Sequence, residues 1–412
     1  MQKLPVDLLQ GIGSYLSLPD LNSVKASCRF FNNFYCENVS NHIKQRKIIQ
    51  AVAGHSYVAY LRENGTVFLK GNFDKYISTK NSIFLEVLKL NDVQQISGSE
   101  NHLLFLKKNR TVCMMGGNQN GELGMGNLTN YSTPQLIPDF RGVIKVIAGQ
   151  NFSLFLMENG TVYTCGANKW GELGVGDENP HSVPTKLPNV ADIINIAASD
   201  THRILLKRNG TVLVYGGNLE GQLGLGDTKY REQPTQIPGY SEVIDVAVGN
   251  SYTIFLKSNN KIEVCGSNEY GQLSLYNVKE VLIPTATFIG SVVAMAAGFS
   301  HTVFQLENGS VFTCGNNQYG QLGNANRQSS NNLFAMGVPD VANVSASGNN
   351  TFLHTKNGLI QGNGDNRVGQ LGLKELDILR STNLPKLNDW INVLEQLSDK
   401  KNHDQNTNNK KT

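Results

Sequence analysis

A turn element built on Asn-Gly-Thr-Val recurs along this chain and constrains what it can fold into. It stands at Asn64, Asn159 and Asn209, with variants at Asn109 (NRTV), Asn259 (NNKI), Asn308 (NGSV) and Asn357 (NGLI). Successive spacings are 45, 50, 50, 50, 49 and 49 residues. A glycine repeats in step, at Gly71, Gly116, Gly166, Gly216, Gly266, Gly315 and Gly364. Seven units of near-constant length are seven copies of one supersecondary element, each burying its apolar face against its neighbours.

Unit three shows the internal pattern. Residues 143–148 (VIKVIA) are apolar and β-branched, and 152–157 (FSLFLM) form a second apolar run. Glu158-Asn159-Gly160 is a tight hairpin connection, and 161–165 (TVYTC) alternate as a third strand. A long Gly- and Asn-rich loop leads to 184–188 (PTKLP), a short strand flanked by prolines, which suits an outer edge where a missing N–H is tolerated. Four antiparallel strands per unit, seven times over, predict a mainly β fold, a seven-bladed β-propeller. A solenoid fits less well, because it would need capping repeats. Gly (41 residues) and Asn (48) are both abundant, as a chain with many tight turns requires.

The loop motif, GxNxxGQLGxGD, preceded by AAGxxHT and NGxVYTCG, resembles the regulator-of-chromosome-condensation repeat. The resemblance covers roughly residues 48–390 and implies a seven-bladed propeller. It departs in places. The slot before Gly-x-Asn, often Trp in the family, holds Cys, Tyr215, Met115, Lys70 or Asn363 here. Unit one lacks the GQLG segment, and unit five carries Ser274 and Tyr276 where glycines are expected.

Residues 1–47 differ in kind. Leu8, Leu9, Ile12 and Leu16 recur at helical spacing, with Pro5 near the start. Ser17 to Asp20 reads as a capping-type start for a second helix bearing Leu21, Val24 and Cys28. The string from Leu4 to Phe34 resembles an F-box. That resemblance implies a small all-α F-box domain at 1–47 before a propeller at 48–397. It also implies that Leu4, Pro5, Leu8, Leu9, Ile12, Leu16, Leu21, Val24 and Cys28 bind the S-phase-kinase-associated adaptor, which carries a cullin scaffold. The bland alternative is a helical cap docked on the propeller. Residues 390–394 (WINVL) align with first-strand segments such as VIKVI, so they either close the ring or pack as a helix. Residues 398–412 read as a disordered polar tail.

Composition narrows the function classes. A net charge of +3 does not make a nucleic-acid surface. No apolar run is long enough to span a membrane, and the first ten residues lack a signal-peptide core. The six cysteines form no CxxC, and Cys165, Cys265 and Cys314 fill one slot in different units, so they predict no disulfide framework and a reduced, cytoplasmic compartment. The Asn-rich composition and polar tail are compatible with an effector that an intracellular bacterium delivers into host cytoplasm.

No catalytic set, metal site or cofactor is legible. The glycine loops lead into strands, whereas a phosphate loop opens a helix. His102, His202 and His301 share a slot with Tyr57, Phe152 and Tyr252, which marks a packed position with a polar tip. Binding is therefore expected on the face formed by the first-to-second and third-to-fourth loops, which are longer and more variable than the hairpins. Its candidate residues are Lys169, Trp170, Glu220, Glu269, Tyr270, Tyr319 and Arg367. The aromatics of that set read as loop packing, with Trp170 the exception.

Together the two resemblances imply a substrate receptor of a cullin-based ubiquitin ligase, non-catalytic, holding an unidentified protein substrate. The alternative is guanine-nucleotide exchange on, or modulation of, a Ran-like small GTPase, the activity of the family's namesake. A wedge from one blade would serve that activity, and the unit spacing leaves little room for one. The basic N-terminal arm expected of a chromatin-bound exchanger is also missing. A scaffold or trafficking adaptor is a third class.

Overall fold

The computed structural model describes residues 48–383, apart from 54–56, 72–84, 87–89, 170, 357–358, 368–370 and 372–376. The expected helical module at 1–47 with its adaptor-binding residues, the segment 390–394 and the tail all lie outside the described residues. Twenty-eight strands, β1 to β28, form seven four-stranded antiparallel sheets. Blade 1 holds β1–β4 (48–86), blade 2 β5–β8 (93–136), blade 3 β9–β12 (143–186) and blade 4 β13–β16 (193–236). Blade 5 holds β17–β20 (243–286), blade 6 β21–β24 (292–335) and blade 7 β25–β28 (341–383). Each blade is one contiguous stretch whose strands follow chain order across the sheet. The first strands pack on one another around the axis, and β1 (Ile48–Ala53) meets both β5 (Val93–Gly98) and β25 (Val341–Ser347). The ring is closed, as the repeat predicted.

The core lies between blades. Seven apolar clusters are present among the described residues, one at each joint. Each joins the third residue of one blade's second strand to the fourth residue of the next blade's. The pairs are Leu104 with Phe155, Ile204 with Phe255 and Ile254 with Phe304. Side-chain volume is shared out across a joint: small Ala59 faces Phe105, and large Phe352 reaches the Tyr60 cluster that closes the ring.

The outer strand differs from expectation. In blade 3 it is β12 (His181–Lys186), three residues earlier than the prolines suggested. The register jumps from Thr164 opposite Thr185 to Gly166 opposite His181. Pro184 thus falls inside a bulge, where no ladder bond needs its missing N–H.

A polar ring reinforces the joints. His102 Nε2 lies 2.9 Å from Ser153 Oγ of the next blade, and that hydroxyl donates to Glu122 O at 2.7 Å. With its only proton committed, Ser153 must accept, so His102 is the neutral Nε2–H tautomer. His202 with Thr253 and His301 with Thr351 repeat the arrangement. Tyr252 fills the same slot and donates to the His301 carbonyl. Phe152 has nothing to donate, and its partner across the joint is the Arg203 guanidinium, 3.8 Å from the ring centroid. A cation over an aromatic face replaces the hydrogen bond. Space is matched as well: a Cβ on Gly149 would lie 1.8 Å from the Phe152 ring, and Gly298 makes the same room for His301, whereas the blades of His102 and His202 place Ser99 and Ser199 there to meet Nδ1.

This pairing makes a testable exchange of partners. Phe152→His alone sets an imidazole against a buried guanidinium, and Arg203→Thr alone faces a hydroxyl with phenyl. The double variant restores the His–Thr pair of the neighbouring joint. Urea unfolding of the four proteins should give a favourable coupling of roughly 1–2 kcal/mol, within the range for contacting residues. Simple additivity would show that the two slots are not partners.

Candidate protein-recognition face

The long third-to-fourth loops of blades 2 to 6 are built around one buried asparagine each. Asn168 accepts from Leu173 N through Oδ1 at 2.9 Å and donates through Nδ2 to Asp177 O at 2.7 Å, pinning both ends of the loop. Asn118, Asn218, Asn268 and Asn317 do the same work in their blades. The Gln or Glu four residues on braces the loop tip, as Gln222 Oε1 accepts from Glu220 N. The glycines hold left-handed conformations, φ +76° at Gly174, and Ser274 keeps +54° where a glycine is expected.

The loops of blades 2, 4 and 6 also lean on the next blade. Gly126 N donates to Ser182 O, Gly226 N to Leu282 O and Ala325 N to Leu379 O. The first-to-second loops lie on the same face: Ala167 and Gly217 donate their N–H to Asn151 O and Thr201 O. On the opposite face the hairpin meets the following link, as Ile193 N donates to Gly160 O. The division of faces expected from the sequence holds. All the hairpins between second and third strands of blades 2 to 6 are tight turns, without an inserted wedge.

The candidate residues occupy this face unevenly. Lys169 and Glu269 are exposed, Glu220 is half-buried, and Tyr270 is 40% exposed with its N–H held by Gln272. Tyr319 is half-buried beneath Arg367, whose guanidinium lies 4.4 Å from the ring centroid and 2.8 Å from Asp365 Oδ2. Tyr319 and Arg367 are therefore brought together across the joint of blades 6 and 7. Trp170 lies outside the described residues.

Sequence reasoning missed two exposed apolar residues on this face. Leu219 is 81% exposed, in the slot after the loop asparagine that holds Lys169, Glu269 and Arg367 elsewhere. Phe299 is exposed in the first-to-second loop of blade 6, where blades 2 to 5 place Glu100, Gln150, Asp200 and Asn250. An apolar residue in a slot otherwise polar was the available signal. Asp200, in the first-to-second loop of blade 4, is pushed up by burial and then by the Glu100 carboxylate, whose Oε2 accepts from Gln150 Nε2 at 3.4 Å.

The chemistry of the described residues is that of a binding surface. Cys165 and Cys265 are buried, held protonated by desolvation, and point their S–H at carbonyls of the preceding blade. A thiol pushed upward is a poor nucleophile. No three of His, Cys, Asp and Glu come together to hold a metal among the described residues. A groove of about 520 Å³ on blade 5 is lined by Leu275, Tyr276, Val278, Val281 and Phe288, with Glu280 its one ionisable carboxyl. No described helix is long and apolar enough to cross a membrane.

Comparison with known proteins follows this geometry. The model of the RCC1-like domain matches residues 33–287, and the regulator of chromosome condensation (RCC1) repeat matches 292–321 and 308–353. Human WBSCR16 is 24% identical with a TM-score of 0.66, over 74% of this chain and 85% of that one. Yeast RCC1 (Prp20), in its complex with Kap60, is 21% identical with a TM-score of 0.69, over 84% of this chain and 86% of that one. Prp20p from Saccharomyces cerevisiae, studied for its binding to Gsp1p and histones, is 21% identical with a TM-score of 0.67, over 84% and 89%. No curated protein matches the chain.

Proposed function

Because this chain belongs to the family of RCC1-like domains, we propose that it is a non-catalytic protein-binding propeller whose long-loop face engages a Ran-class small GTPase and modulates its nucleotide exchange. The observation that carries this reading is the face itself. Asparagine-pinned loops, several bonded to the next blade, present Leu219, Tyr270 and the Tyr319–Arg367 pair on a rigid frame. Exposed aromatic and arginine side chains on a fixed support are the usual anchors of protein interfaces. The relative Prp20p binds Gsp1p and histones. With tight hairpins throughout blades 2 to 6, the contact here is made by loops and needs no wedge.

Release of fluorescent GDP from a Ran-class GTPase tests this. A saturating amount of the chain should change the release rate at least tenfold, and Leu219→Ala with Tyr270→Ala should return it close to the basal rate. An unchanged rate, with no complex in gel filtration, overturns the reading.

A second reading rests on the F-box resemblance of residues 4–34. There the N-terminal module docks a cytoplasmic ubiquitin-ligase adaptor, and the same face holds a substrate near the charged conjugating enzyme. Leu8→Asp with Leu16→Asp should then abolish co-purification of the adaptor and cullin. A wild-type chain that never captures the adaptor removes this reading.

A further inference from the structure

Unit five departs from the repeat around one spot. Tyr276 fills a slot that holds Gly126, Gly176, Gly226 and Ala325 in blades 2, 3, 4 and 6, and Phe288 fills one that holds Pro138, Pro188, Pro238 and Gly337. On the outer strand β20 (Glu280–Ala286), Val281 and Leu282 stand where those blades carry Tyr131-Ser132, His181-Ser182, Arg231-Glu232 and Ser330-Asn331. All four departures line the groove of about 520 Å³ on blade 5. Tyr276 is 61% exposed and Phe288 wholly so. The Tyr276 hydroxyl donates to Asn332 Oδ1 of blade 6, which holds the ring in place as one wall. Blades 2, 3 and 4 fold with glycine and proline at the two aromatic slots, so the blade itself does not require the pair. A single exposed apolar residue is ordinary, whereas a contiguous set around a cleft of ligand-site volume marks an interaction surface.

Shape and charge define the occupant. The groove follows β20 from Glu280 at the long-loop end to Phe288 just past the other, and a strand of that length spans about 20 Å. That form suits an extended chain. Glu280 is exposed and is the one carboxylate among the lining residues, with no lysine or arginine beside it in the lining. The surroundings carry the same sign: from Ile262 to Leu306 the chain has Glu263, Glu269 and Glu280 against Lys279 alone, in a protein of net charge +3. We propose that this groove docks an extended peptide segment of a partner protein, which lays apolar side chains along Val281 and Leu282 between the Tyr276 and Phe288 rings and sets a lysine or arginine against Glu280. An acidic residue at that point is rejected by like charge, which gives the site its selectivity. The groove is distinct from the loop tips assigned to the GTPase and does not depend on that reading.

Random linear peptides displayed on phage and selected on the full chain test this. Selection should enrich sequences that combine at least two apolar residues with a lysine or arginine. The best of them, synthesised with a fluorescent label, should bind at least tenfold more weakly to the chain carrying Tyr276→Gly with Phe288→Pro. Those are the residues of blades 2, 3 and 4, so the urea midpoint should stay that of the wild type. Glu280→Lys, one exposed change that leaves the apolar walls standing, should weaken the same peptide at least tenfold and gives an independent reading should the double variant not fold. No enrichment, enrichment of acidic or purely polar sequences, or a peptide that Glu280→Lys binds as well as the wild type does overturns the proposal. A concentration-dependent dimer of the wild type that these variants abolish also overturns it, because the occupant is then a second copy of the chain.

Discussion

Phe352→Ala is expected to destabilise the whole ring by about 3–5 kcal/mol, the cost of emptying a fully buried aromatic site. Phe352 is inaccessible to solvent and packs with Ala51, Val58, Tyr60, Ile360, Leu371 and Ile378 at the joint of blades 7 and 1. Those residues come from opposite ends of the propeller sequence, so the contact closes a loop of the entire ring. Losing it weakens the one joint that no short-range connection supports. Urea unfolding should remain a single transition, displaced to a lower midpoint. Leu136→Ala, on the exposed face of an outer strand and 49% accessible, should leave the midpoint within experimental scatter. A loss below 1 kcal/mol at Phe352 would mean that the ring does not depend on this joint.

Acid should weaken the protein well before its carboxylates titrate. Burial pushes His102 and His202 down to about 3 and His301 to about 4. Each is neutral in the fold, donating from Nε2 across a joint. In the unfolded chain each takes up a proton near pH 6.5. Between that pH and the folded values the unfolded state binds more protons, so stability falls as pH falls. It is fully present above about pH 6.5 and is lost progressively below it. At pH 5.5 the loss is about 1.4 kcal/mol per histidine, or roughly 4 kcal/mol for the three. Thermal melts from pH 7.5 to 5.5 should show the fall, to which His354, lowered by burial to about 4, also contributes; His202→Tyr should reduce it by about a quarter, because Tyr252 already serves the same slot. A flat profile would show that these imidazoles are protonated in the fold.

The sequence was most legible where a residue type has one backbone use. The Asn-Gly hairpins and the Gly-x-Asn loops fixed blade number, strand order and the division of faces, because the asparagine bonds recur from unit to unit among the described residues. The outer strands were placed less well, since Pro184 marks the inside of a bulge as readily as a strand end. Joint chemistry was half legible. A slot holding His, Tyr and Phe signalled packing, but nothing local paired Phe152 with Arg203, whose positions are 51 residues apart in different blades. On the candidate face, charge and aromaticity picked out Tyr270, Tyr319 and Arg367. Leu219 escaped because an apolar residue carries no chemical signature until its exposure is known.

Hydrogen exchange, compared for the chain alone and with a GDP-loaded Ran-class GTPase, tests the central claim most directly. The account predicts slowed exchange in loops 117–130, 167–180, 217–230 and 268–279, with the hairpin turns at 158–160 and 208–210 unchanged. Protection confined to those hairpins and the links beside them, or no protection anywhere, would contradict it.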